Sequence, residues 1–294
     1  MPISTSRSLL VFGLGYTGAA IARAAAEAGF AVTATSRTPA QRGPVPGVTV
    51  VPFGEADPAI APATHILATA APDAGGDPVL ARFAPAVAAA PALRWIGYLS
   101  TTGVYGDRGG GWVDEATPPA PSGERGRRRL AAEQAWAGFA DRIAVDLFRL
   151  AGIYGPGRAP FADLRAGRAR RIGKPGHAFG RIHRDDIAAA ALAAMGQTLP
   201  PGLRVLNLAD DEPAENADVI VEAARLLGIP APPLTPFAQA APAMTAMALS
   251  FWAENRKVSS RRTQEALGLR WRHPTYREGL AAILAAEKGA DGPA

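Results

Sequence analysis

The chain has 294 residues, 48% of them hydrophobic, and a formal charge of +5 from 31 Lys and Arg against 26 Asp and Glu. That apolar content supports a substantial core, and no apolar run reaches the ~20 residues that a membrane helix needs. With no cysteine, disulfides, thiolate zinc sites and a cysteine nucleophile are excluded.

Acidic and basic residues are interspersed and no nucleic-acid-binding motif stands out, so the modest basic excess points to a small anionic ligand, with neither a nucleic acid nor a membrane as partner. The apolar stretch after the polar N-terminus, Leu9 to Phe12, is too short for a secretory signal, which reads as a cytoplasmic protein.

In chain order, Leu9–Phe12 reads as a strand and Tyr16–Ala28 as a helix stopped by Gly29. Strands follow at Ala31–Ser36, Val48–Phe53 and His65–Thr69. Pro78–Ala90 is a helix, Trp95–Ser100 a strand, Arg125–Ala137 a helix and Arg142–Leu150 a strand with an alternating pattern. Strands alternating with helices imply a doubly wound parallel sheet, a Rossmann fold.

Beyond Gly157 the order is less regular. Helices are expected at Asp185–Met195, Ala214–Leu227, Ser259–Leu267 and Thr275–Ala286, a strand at Arg204–Leu208, and a Pro-rich surface loop from Ile229 to Pro242. The expected division is a Rossmann core of residues 1–158 with 182–210 and a small C-terminal, substrate-side lobe of 159–181 with 211–285. Residues 286–294 are expected to be a flexible tail. The four histidines, His65, His177, His183 and His273, show no metal-ligand spacing, so no metal site is expected.

Gly13-Leu14-Gly15-Tyr16-Thr17-Gly18 follows the first strand and opens the first helix, the context in which G-x-G-x-x-G holds a dinucleotide. Gly13 makes the tight turn, Gly15 lets backbone approach a pyrophosphate, and Gly18 lets helix and strand pack closely. The helix N-terminus offers free N–H groups and a partial positive charge to phosphates, which places Tyr16 and Thr17 at the cofactor too. Binders of NAD usually carry an acid ~20 residues further on for the adenosine ribose. This chain has Thr35-Ser36-Arg37-Thr38 there, so Ser36 and Arg37 are candidates to hold a 2′-phosphate, and NADP(H) is expected over NAD(H). Thr69 and Ala70, at the end of the fourth strand, complete the candidate cofactor set.

Later segments carry a resemblance. Tyr98-Leu99-Ser100-Thr101-Thr102-Gly103-Val104-Tyr105-Gly106, the acidic loop Val113 to Pro118, and Arg149 through Tyr154-Gly155-Pro156-Gly157 come first. Arg181-Ile182-His183-Arg184-Asp185-Asp186 and Asn207 through Pro213 follow. In that order they resemble the extended short-chain dehydrogenases/reductases, the NAD-dependent epimerase/dehydratase family, from residue 9 to about 285. That family works with a Ser/Thr and a Tyr-x-x-x-Lys. The lysine holds the nicotinamide ribose, and the tyrosine trades a proton while hydride moves to or from the cofactor.

Thr101 matches the Ser/Thr. Aligning Arg129-Leu130-Ala131-Ala132-Glu133 with the family's K-L-x-x-E places Arg129 at the lysine and Arg125 at the tyrosine. Arginine stays protonated and cannot act as a general acid near neutral pH, and losing one typically costs on the order of 10²–10⁴ in rate. The chain therefore resembles the atypical branch of the family. It is expected to be an NAD(P)-binding reductase or epimerase with a non-standard proton donor or, alternatively, a non-catalytic NADP(H)-binding sensor. Thr101, Arg125 and Arg129 are the candidate catalytic residues, with Tyr105, Tyr154, Asp114 and Glu115 as other proton sources. Tyr154 and Arg158 are candidate substrate contacts, in a stretch that continues with Arg165, Arg168, Arg170 and Arg171. The resemblance implies a homodimer paired through the helices at Pro78–Ala90 and Arg125–Ala137.

Overall fold

A computed structural model describes residues 7–41 and 43–290. Its centre is a seven-stranded sheet: β1 (Ser8–Phe12), β2 (Ala31–Ser36), β3 (Val48–Pro52), β4 (His65–Ala68), β5 (Trp95–Thr101), β6 (Ala144–Leu150) and β7 (Gly202–Leu208). The spatial order is β7-β6-β5-β4-β1-β2-β3 and every pairing is parallel. This is a Rossmann sheet. The chain starts in the middle, winds out to β3, then crosses back over β1 to β4, and the crevice at that reversal is where such sheets bind ligands.

The longer helices are α1 (Tyr16–Glu27), α2 (Pro78–Ala89), α3 (Glu124–Ala137), α4 (Arg184–Gly196), α5 (Asn216–Leu227), α6 (Ala246–Trp252), α7 (Arg261–Leu267) and α8 (Tyr276–Ala290). Alanine explains how the layers close. Ala20, Ala22 and Ala25 of α1 meet Ala188, Ala190, Ala191 and Ala194 of α4 in one buried cluster. Asp77 caps α2, accepting from the N–H groups of Val79 and Leu80, with Pro78 at the first helical position. A separate apolar cluster joins Tyr154, Phe161 and Leu164 to α5 and α8.

Three expectations change. An alternating pattern ordinarily marks one exposed face, yet β6 is buried throughout, because its polar residues have partners. Asp146 accepts from Trp95 Nε1 and pairs with Arg204, each at 2.7 Å, and Arg149 pairs with Glu133 at 2.7 Å. The Pro-rich stretch 229–242 is not all loop: Leu234–Pro236 pairs in parallel with Arg171–Gly173, and a helical turn follows at Phe237–Ala240. The last helix runs to Ala290, so 286–290 are helical rather than tail; residues 291–294 lie outside the described residues. No helix among the described residues is long and apolar enough to cross a membrane.

Candidate functional site

The three glycines of the first loop differ as their expected jobs require. Gly13 has φ +103°, open to glycine but rarely to other residues, and a side chain on it would press on Thr69 Oγ1. A Cβ on Gly18 would run into the Gly13 carbonyl, so strand and helix touch there. At Gly15, the N-cap of α1, a Cβ would meet nothing within 4 Å. The first turn of α1 carries no acid, so nothing competes for its free N–H groups. Neighbouring strands hold the loop: Thr35 Oγ1 accepts from Gly13 N at 3.1 Å, and Thr69 Oγ1 donates to the Gly13 carbonyl at 2.6 Å.

Gly15 to Gly18 form one end of a cavity of about 1170 Å³, larger than the ~300–1,000 Å³ usual for a single small ligand. Thr69, Thr101, Arg125, Arg129, Tyr154 and Arg158 also line it. Ser36, Arg37 and Ala70 are not among its walls. Ser36 is buried at the end of β2, its Oγ accepting from Thr38 N, and Arg37 beside it is exposed. Ala70 packs against the apolar cluster under α2.

Thr101 ends β5 half-buried, and its Oγ1 accepts from Gly103 N at 3.1 Å, which leaves the hydroxyl proton to point elsewhere. Arg129 Nη1 donates to the Leu99 carbonyl at 2.8 Å and to the Tyr98 hydroxyl at 3.2 Å, so α3 is pinned to the end of β5. Arg125, one turn earlier, is exposed, with its guanidinium 5.6 Å from the Phe251 ring centroid. Glu124 pairs instead with Arg127 and Arg128.

The alternative proton sources are committed elsewhere. Tyr105 is buried, donates to Asn207 Oδ1 at 2.7 Å and lies under Arg149; burial pushes its phenol up. Tyr154 lines the cavity, but its hydroxyl donates to the Thr275 carbonyl and packs on Gly279, and burial raises its pKa strongly. Asp114 pairs with Arg262 at 3.2 Å, and Glu115 accepts from Thr263 Oγ1 at 2.7 Å.

In the second basic stretch, Arg165 pairs with Glu287 and Arg168 with Asp163. Arg158 alone of the stretch lines the cavity, its guanidinium over the Tyr16 ring.

The histidines are less scattered than their spacing implies. The His183 and His273 rings lie 3.9 Å apart between centroids, tilted by 38°, and with Asp186 they form a buried set whose ligand-type atoms lie within 4.8 Å of one another. Asp186 accepts from the N–H groups of Arg272 and His273 and hydrogen-bonds His273 Nδ1. The set ties the segment before α8 to α4. Burial, then His273, push the His183 pKa down.

Several cavity residues give little or no signal in the sequence: Phe179, Arg181, Phe251, Trp252, Glu254 and Arg256. Of these only Trp252 and Arg181 stand out by residue type or by a motif. Arg181 donates to the Phe179 and Ala214 carbonyls, and Arg256 to Glu254 and the Gly106 carbonyl.

No protein-family model matches the chain. A functionally unknown conserved protein from Silicibacter pomeroyi DSS has a solved structure that is 46% identical. The match covers 96% of this chain and 99% of that one, with a TM-score of 0.88. The chain belongs to the family of that protein. Human epimerase family protein SDR39U1, solved with NADPH, superposes with a TM-score of 0.75 at 22% identity, covering 95% of this chain and 99% of that one. The family thus has the fold of the NAD-dependent epimerase/dehydratase proteins, and the motif resemblance holds at that level.

Curated proteins match part of the chain. Protein YeeZ of Escherichia coli (strain K12) is 35% identical over 136 residues, 46% of this chain and 47% of YeeZ. The 3-diazoavenalumate denitrifying reductase of a Streptomyces species is 33% identical over 147 residues, 47% of this chain and 46% of that protein. Each match spans about half the length of the curated relative.

Proposed function

We propose that the protein is an NAD(P)-dependent oxidoreductase of the atypical short-chain type, a reductase acting on a small anionic substrate. The observation that carries this reading is Gly15, open at the start of α1, at one end of a cavity that continues to Thr101 and Arg125. The space a Cβ would take at Gly15 suits a pyrophosphate, with the free N–H groups of α1 and the Arg158 guanidinium as its donors. The adenosine end then runs toward Ser36 and Arg37, where an exposed arginine suits a 2′-phosphate. SDR39U1 was solved with NADPH, and the Streptomyces relative is named a reductase; both fit the reading.

When bound, the nicotinamide supplies hydride. The chain's own residues do the rest. The Thr101 hydroxyl, braced by Gly103 N, donates a hydrogen bond to the substrate oxygen. Arg129 keeps α3 against β5 beside the nicotinamide ribose, and Arg125 pairs with the substrate's anionic group. Neither arginine releases a proton. The proton that completes the reduction therefore comes from water, and on an ordinary ketone the reaction runs slower by about 10²–10⁴ than with the family tyrosine.

Calorimetric titration with NADPH and with NADH tests this. Binding of NADPH that weakens in Arg37→Ala, while NADH binding does not, supports both cofactor and preference. Folded protein that takes up neither nucleotide rejects the function. The empty tyrosine position favours a second reading, a non-catalytic NADP(H) sensor. Hydride transfer to any member of a carbonyl panel, lost in Thr101→Ala, decides for the enzyme.

A further inference from the structure

At the end of the cavity away from the glycine loop, the wall turns aromatic. Trp252 is 8% exposed and fixed by its neighbours: Phe179 lies edge-on at 4.9 Å, Phe237 at 5.1 Å and His177 stacked at 5.5 Å. Phe251, next to it on α6, is 54% exposed and borders the same cavity. A large ring facing a concave wall is apolar surface that gains from being covered.

The cation nearest to it is Arg125, over the Phe251 ring. The other guanidiniums at this end are engaged: Arg129 with the Leu99 carbonyl, Arg181 with two carbonyls, and Arg256 with Glu254. Among the described residues Arg125 has no carboxylate partner. The site therefore offers an exposed guanidinium that makes no hydrogen bond to the described residues, one exposed ring beside a rigid aromatic floor, and the Thr101 hydroxyl.

Resting on the proposed reductase reading, we propose that the substrate is an aromatic carboxylate. Its ring lies against Phe251 and Trp252, and its carboxylate is held by Arg125. The exposed Arg125 guanidinium matches a planar carboxylate in bidentate fashion. Aliphatic acids leave the ring contacts unmade, and neutral aromatics leave Arg125 unpaired.

The test is binding of trans-cinnamate to the full chain with NADP+ present, read by calorimetry beside three controls: cinnamamide, hexanoate and phenyl phosphate. Cinnamate should bind best, about tenfold tighter than cinnamamide, as a charged hydrogen bond is worth. Arg125→Gln should remove that difference. Phe251→Ala should weaken cinnamate several-fold and leave hexanoate unchanged, with nucleotide affinity intact in both variants.

Four outcomes overturn the proposal: cinnamamide binding as well as cinnamate, phenyl phosphate binding better, indifference to Arg125→Gln, or nucleotide binding with no acid bound. Self-association that Phe251→Ala abolishes, without cinnamate heat, also overturns it by giving the aromatic patch to a second copy. Folded protein that fails to bind nucleotide rejects the reductase reading instead, so the two failures are distinguishable.

Discussion

Arg158 lays its guanidinium on the ring of Tyr16, 4.5 Å from the centroid. The ring cannot swing away, because the Tyr16 hydroxyl donates to the Pro156 carbonyl at 2.9 Å and packs against Gly155, where any side chain would collide with it. A charge from a turn far along the chain is thereby held at the first turn of α1. Arg158→Ala should weaken NADH and NADPH binding equally, by about tenfold, whereas loss at Arg37 affects NADPH alone. Calorimetry on the two variants makes the comparison, and a selective effect of Arg158→Ala on one nucleotide would move it from the pyrophosphate.

Gly15 and Gly18 should fail in opposite ways. Gly18→Ala drives a methyl into the Gly13 carbonyl and should lower stability by about 1–3 kcal/mol, the usual range for overpacking. Gly15→Ala puts its methyl into open space, so thermal unfolding should be little changed while nucleotide affinity drops. Paired melting and binding curves show both, and a Gly15→Ala protein that binds normally counts against the cradle.

Glu133 and Arg149, 3% and 5% exposed in their side chains, form a buried pair at 2.7 Å that also takes the Ser100 hydroxyl. Arg149→Met strands a buried carboxylate and should cost about 3–5 kcal/mol, while replacing both partners with apolar residues should cost far less. Urea unfolding of the single and double variants gives the coupling between them.

Asp210 is buried with neither carboxylate oxygen hydrogen-bonded. Burial first, and then Asp211 and Glu212, push its pKa up to about 8, despite the nearby Arg181. A raised carboxyl favours the folded state fully below its ordinary value of 3.8, and the benefit drains away as pH climbs to about 8. Asp210→Asn should therefore gain on the native protein between pH 5 and pH 9, by no more than about 1.4 kcal/mol per pH unit. Urea midpoints at pH 5, 7 and 9 check it, and a gap independent of pH refutes it.

What could be foreseen from sequence was whatever local chemistry dictates. The spacing of Gly13, Gly15 and Gly18 announces a steric requirement, and the alternation of apolar runs with alanine-rich segments announces the parallel sheet. Polar residues on β6 misled, because Asp146 and Arg149 owe their burial to Arg204 and Glu133 on other elements. The aromatic end of the cavity was hidden for a similar reason. Phe251 and Trp252 sit in a seven-residue helix, and Phe179 reaches them from another segment. His183 and His273 are ninety positions apart in sequence, so their contact exists only once the chain has closed.

The anchor of α3 lies at Glu133 and at the Leu99 carbonyl, not at the tip where Arg125 stands. Position 125 can therefore vary without loosening the scaffold that presents it. Exchanging a proton-donating side chain for an anion-binding one at this position leaves both anchors of the helix in place.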